Sequence, residues 1–205
     1  MDILLKFPKE ENYEKTEKFA QELGSLHLRK KEYNLAIQNY RICLETKMKR
    51  FGLSHSELIS TLNILADIYY QQEKYNDALV CYNQSYRMIV KTGMQQQQQD
   101  TQLIQVYWKI GLIYKHKKSW SEALKYFSKT LKTVKVAFQN SKEKFIPIYK
   151  EIGEVYYNMG TYEDSIKFFK KAIKTEKELL GDSASNNLEI YLKIVNLYDP
   201  RYPFS

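Results

Sequence analysis

Four eight-residue segments of this chain repeat one order of residue types: AQELGSLH (Ala20 to His27), LNILADIY (Leu62 to Tyr69), YWKIGLIY (Tyr107 to Tyr114) and YKEIGEVY (Tyr149 to Tyr156). Each opens on a bulky or apolar residue, has an aliphatic fourth, a small fifth and a ring eighth. Offsets of three, four and seven place these positions on one face of a helix, so the pattern predicts a packing stripe. The small fifth residue, Gly24, Ala66, Gly111 or Gly153, admits a close neighbour. Twelve positions on, a second small residue (Ala36, Ala78, Ala123, Ser165) is followed four later by a ring: Tyr40, Tyr82, Phe127 or Phe169. A second helix is predicted there, packed on the first.

The polar junctions RKKEYNL, QQEKYND, KHKKSWSE and NMGTYEDS predict turns, and each carries an aromatic at the start of the second helix: Tyr33, Tyr75, Trp120 or Tyr162. Asn34, Asn76, Ser121 and Glu163 with Asp164 are expected to supply acceptors or negative charge to that helix's first turn. The small residues of the first helices lie 42, 45 and 42 positions apart, and a further 42 reaches Val195 in NLEIYLKIVNLY, where Asp199-Pro200 and Pro203 end the pattern. The expected organisation is an N-terminal extension at 1–11, pairs at 12–51, 56–92, 98–138 and 142–180, a capping helix at 186–198 and a tail at 199–205. Gln95 to Gln99 fall in a link and are expected to form a flexible, polar insertion.

These positions resemble the tetratricopeptide repeat, whose helix pairs carry a large residue, Leu, Gly and Tyr, then Ala, Phe and Ala at the same offsets. The resemblance implies an all-α fold: a right-handed α-solenoid of about four helix-turn-helix repeats closed by a C-terminal helix. The long period and Leu62, Asn63, Leu65, Ala66 and Tyr69, with Gly52, His55 and Gly181 in the links, are similar to the repeats of kinesin light chains. No heptad stretch for a motor heavy chain precedes the first pair, so the likeness extends to fold and binding mode.

Composition agrees with helices. The chain has 205 residues, 43% of them hydrophobic and 14% aromatic, with only 7 Gly and 4 Pro. There is no signal-peptide run and no long uncharged apolar segment, so a cytoplasmic protein without a membrane span is expected. Cys43 and Cys81 lie within helical patterns and are expected to be ordinary thiols in a reducing compartment. His27, His55 and His116 have no nucleophile or carboxylate at motif spacing, and no phosphate loop, HExxH or CxxC occurs. An enzyme is disfavoured, and no cofactor, metal or small-molecule substrate is expected.

The resemblance places ligands along the first helices, where positions one, five, eight and nine after the leading stripe residue turn away from the packing face. The candidate groove is thus Gln21, Ser25, Leu28 and Arg29; Asn63, Asp67, Tyr70 and Gln71; Trp108, Leu112, Lys115 and His116; and Lys150, Glu154, Tyr157 and Asn158. Such amides, charges and rings suit an extended or helical segment of a partner protein. Gln21 and Ser25 stand where chaperone-tail binders of the family carry Lys and Asn, which disfavours a chaperone carboxylate. The expected function is that of a scaffold or adaptor, a subunit of a larger assembly.

The formal net charge of +8 is uneven. Eleven lysines between Lys109 and Lys150 face only Glu122 and Glu143, and Lys125, Lys129, Lys132 and Lys135 follow helical spacing. This basic ridge offers an alternative, an acidic polymer such as a tubulin tail or a nucleic acid. The absence of Arg from this region disfavours nucleic acid. A cytoskeletal or ciliary location follows only by analogy with the kinesin light chains.

Overall fold

The computed structural model describes residues 12–180 apart from positions 54 and 140. The proposed extension at 1–11, the capping helix at 186–198 and the tail at 199–205 lie outside the described residues. Within them the chain forms eight α-helices: α1 Tyr13–Arg29, α2 Tyr33–Phe51, α3 Glu57–Gln71, α4 Tyr75–Lys91, α5 Gln96–His116, α6 Trp120–Ala137, α7 Phe145–Asn158 and α8 Tyr162–Leu180. A 3-10 turn, Lys142–Lys144, leads into α7. The all-α repeat expected from the stripes is what the chain adopts, and it divides into two compact units at Gln99 and Asp100.

In the first unit α1 packs on α2, α2 on α3 and α3 on α4. The stripe residues Leu62, Leu65, Ala66 and Tyr69 are buried, as are Ala36, Tyr40, Ala78 and Tyr82 opposite them. In the second unit Ile110, Ala123, Phe127, Ile148, Ile152, Val155 and Phe169 form the core of α5 to α8. Burying each large apolar side chain contributes about 1.5–3 kcal/mol.

The glycines of the stripe show why that position is small. A Cβ on Gly24 would lie 2.9 Å from the Tyr40 ring, and one on Gly111 or Gly153 would lie 2.7 Å from the ring of Phe127 or Phe169. In the fourth pair the second small position is Ser165, whose hydroxyl donates to the carbonyl of Gly153 at 2.8 Å, so a buried polar atom is satisfied within the pair.

All four intra-pair turns are built alike. Lys31, Glu73, Lys118 and Gly160 adopt positive φ (60°, 59°, 56° and 75°). The next amide reaches back to the carbonyl of His27, Tyr69, Tyr114 or Tyr156. This is the left-handed helix terminus that glycine accommodates most easily, and only the fourth turn has glycine. The N-terminal caps differ from expectation. Glu32, Lys74 and Ser119 occupy the cap positions of α2, α4 and α6 without side-chain cap bonds. Asn34 instead accepts from Gln72 Nε2 at 3.1 Å, joining the first pair to the second.

The glutamine tract also differs. Gln96 to Gln99 form the start of α5, and Gln99 Nε2 donates to the carbonyl of Ile89 at 3.4 Å. Glutamine is a good helix former, and this tertiary bond favours helix over a flexible link.

Two stability changes follow. Gly111→Ala adds helix propensity yet drives a methyl into Phe127, so urea unfolding should show a net loss of about 1–2 kcal/mol. Glu73→Gly relieves a left-handed residue, and the same measurement should show a gain of about 0.5 kcal/mol, with Glu73→Ala giving none.

Candidate functional site

The positions assigned to the groove divide into residues held by the fold and residues left to solvent. In the first unit Gln21 and Arg29 of α1 are exposed, while Ser25 donates back to the Glu22 carbonyl at 2.8 Å. Asp67 is held by the fold: its carboxylate accepts the Tyr82 hydroxyl at 2.7 Å, tying α3 to α4. Burial, then the Asp67 charge, pushes the Tyr82 hydroxyl well above the ordinary tyrosine range. Tyr70 is half-buried and packs on the junction ring Tyr75 at 5.9 Å. Asn63 is half-buried, and its amide oxygen is buried without a hydrogen-bond partner among the described residues.

In the second unit Lys115 and Glu154 are likewise held by the fold. Lys115 Nζ donates to Glu151 at 2.6 Å and to Glu154 at 2.5 Å, so cation and carboxylate bind each other across α5 and α7. Burial works against the Lys115 charge, but these two bonds outweigh it and hold the ammonium above its ordinary pKa. Lys150 points toward α8, 3.6 Å from the buried Glu176 carboxylate. Trp108 is half-buried, tilted against Phe127 at 5.4 Å, and forms the wall of a cavity rather than a free anchor. The first position after the stripe is only one residue from the packing face, so its side chain meets the pair's own second helix. Tyr157 and Asn158 are exposed; Tyr157 meets Tyr162 edge-on at 5.9 Å, and Asn158 donates to the Glu154 carbonyl at 2.7 Å.

Lys125, Lys129, Lys132 and Lys135 are all exposed on α6. Lys125 pairs with Glu122 at 3.3 Å, and Lys129 stands over Tyr107 and Tyr126 at 5.2 and 5.0 Å. Forty-two positions later α8 repeats the arrangement with exposed Lys167, Lys171, Lys174 and Lys177. Lys171 stands over Tyr149 and Phe168 at 5.9 and 4.7 Å. The sequence reading took in only the first of these two rows; comparing positions 42 apart would have found the second.

Cys43 is buried and Cys81 half-buried, both free thiols whose pKa burial raises. Among the described residues no cluster of three or more His, Cys, Asp or Glu side chains could hold a metal ion. No described helix is long and apolar enough to cross a membrane.

A family model for the tetratricopeptide repeat matches residues 17–89 and a second matches residues 146–178, together just over half of the chain. The chain is a tetratricopeptide repeat protein. The crystal structure of BtubC (BKLC) from P. vanneervenii is similar to this repeat protein at TM-score 0.68 and 16% identity, over 87% of this chain and 68% of that one. The TPR-like repeats described as kinesin light chain from Podosopora anserina match at TM-score 0.66 and 10% identity, over 81% and 77%. The Rap conjugation gene regulator of plasmid pLS20, in complex with the Phr* peptide, matches at TM-score 0.66 and 14% identity, over 96% of this chain and 53% of that one. The repeat protein thus spans about half the length of that regulator, and at these identities the likeness is one of fold. A search of curated proteins found no match.

The Lys115 cluster makes a testable contribution to tetratricopeptide packing. Because the folded pKa is raised, the stabilisation is complete below the unfolded lysine value of 10.5 and fades as pH rises through the folded value. Lys115→Met should cost about 1–2 kcal/mol in urea unfolding at neutral pH, with the difference from the parent shrinking as pH rises above the unfolded lysine value of 10.5.

Proposed function

We propose that this protein is a non-enzymatic interaction module, an adaptor or subunit of a larger assembly, that holds a peptide or helical segment of a partner protein along its first helices. The observation that carries the reading is Asn63. Its buried amide oxygen has no partner among the described residues, whereas the neighbouring Asp67 is committed to Tyr82. An amide left unsatisfied by the fold is suited to a ligand backbone N–H, which it would meet on turning outward from its half-buried position. Exposed residues stand at the same class of positions within each unit, Gln21 and Arg29 in the first and Tyr157 and Asn158 in the second. The pLS20 regulator, whose fold is similar, is described in complex with a peptide, which supports this mode.

A second reading rests on the duplicated lysine rows of α6 and α8: an acidic polymer, such as an acidic protein tail, lying across them. The second unit alone carries both rows, and none of the eight side chains is buried. Long, strongly hydrated lysines favour a salt-sensitive contact of this kind.

Affinity capture with tagged protein from its own cells, at about 50 and about 200 mM salt, separates the two readings. The parent should retain a partner at the higher salt, and an Asn63→Ala, Tyr157→Ala variant should bind that partner about tenfold more weakly or lose it. If the partners survive this double substitution but disappear with salt, and with Lys132→Glu, Lys174→Glu, the lysine rows are the site and the groove reading fails.

A further inference from the structure

The second unit contains an open cavity of about 350 Å³ between α5, the end of α6 and the start of α7. Ile104, Trp108, Val134, Phe138 and Ile148 make an apolar wall, Lys109 and Lys144 also line it, and no carboxylate lines it among the described residues. Lys144 is held there with its ammonium 4.6 Å from the Phe138 ring centre. A cavity of this size, mostly apolar with a few convergent polar groups, has the usual dimensions of a small-ligand site.

The equivalent place in the first unit is also an open pocket, lined by Glu14, Glu17, Lys18, Gln21 and Glu22, but with the opposite charge. Gly24 and Gly111 stand at equivalent positions 87 residues apart, and the same offset relates α2 to α6 and α3 to α7. Val134 is therefore the counterpart of Lys47, Ile104 of Glu17, Lys109 of Glu22 and Lys144 of Glu57. Lys47 is almost fully buried at 4% exposure; its ammonium lies 3.5 Å from the Glu17 carboxylate and donates to the Glu57 carbonyl at 3.2 Å. An aliphatic stem with a cationic head thus lies at the first site. In the second unit the stem is shortened to valine, the acid at its head becomes isoleucine, and two flanking acids become lysines. The charge of the lining is inverted, and a buried lysine stem is replaced by a short apolar side chain.

We propose that this cavity binds a linear aliphatic monocarboxylate: its chain lies along Trp108 and Val134, in the place of the Lys47 stem, and its carboxylate lies between Lys109 and Lys144. The polarity of the head follows from the lysines, and the shape of the tail from the equivalent side chain of the first unit. The site stands apart from the peptide-binding reading, since neither Asn63 nor Tyr157 lines it.

The test uses the full chain carrying Trp120→Tyr, a change to the residue found at this junction in the other pairs, so that Trp108 is the single tryptophan. Decanoate, below its critical micelle concentration, should shift Trp108 emission saturably and give a matching calorimetric isotherm. Decanol and decylammonium should bind about tenfold more weakly or not at all. Ile104→Glu with Val134→Lys, which transplants the ion pair of the first unit, should abolish binding. The surface variant Lys109→Glu, Lys144→Glu should remain folded by circular dichroism and prefer decylammonium over decanoate. The proposal is overturned if decanoate shows no saturable binding, if decanol binds equally well, or if the charge-reversed variant still favours decanoate. Binding of an acidic leucine-containing peptide without decanoate binding also overturns it, in favour of a side-chain docking site.

Discussion

A ring of the second helix lying directly on the backbone of the first is the contact on which three of the four helix pairs depend, the second pair having Ala66 at that position. At Gly24, Gly111 and Gly153 the faces of Tyr40, Phe127 and Phe169 approach so closely that no side-chain carbon fits between them. Helices set at that distance bury the rest of the stripe, and their connecting turn must then reverse within a few residues. The left-handed residue at Lys31, Glu73, Lys118 and Gly160 accomplishes the reversal in every pair. The strained conformation of three ordinary residues is offset by the hydrogen bonds it lets the helix ends make and by the packing it permits.

Because that contact fixes one face of each first helix, function is confined to what remains, and the fold claims part of the remainder as well. Asp67, Lys115, Lys150 and Glu154 all carry charges suited to a partner, yet each meets an internal counterpart. Lysine 115 is the clearest case: two carboxylates of α7 surround it, so it joins consecutive first helices. The positions left exposed are Gln21, Arg29, Tyr157 and Asn158, beside the unpaired oxygen of Asn63. On the opposite helices the lysine rows stay exposed because long side chains can stand over aromatic rings while their outer surfaces stay in water. Divergence between the pairs then sets the two units apart, acids around a buried lysine in one and lysines around an apolar cavity in the other.

How much was legible in sequence depended on whether a property is periodic. The stripe, the small positions and the turn locations recur at nearly constant spacing, and each reflects a backbone-scale requirement that any side-chain arrangement must meet. The second lysine row was equally periodic and could have been found from the 42-residue offset. Trp108 could not be placed in this way: its neighbour Tyr107 carries the stripe, and a position one residue from the packing face can lean either to solvent or onto Phe127. The glutamine tract was misjudged because composition records a polar segment's solubility but not the bond from Gln99 to Ile89 that draws it into α5.

The amino-acid sequence by itself determined the helix pairs, their close contacts and the uneven charge, since all three rest on local periodicity, residue size and composition. Only the tertiary structure decided which polar groups are available to a partner. A hydroxyl, ammonium or carboxylate is consumed by whichever complementary atom lies within about 3 Å, and here those atoms come from other helices far along the chain. The cavity beside Trp108 belongs to the same class of property: three helices line it, and volume enclosed between elements is not written in any one of them.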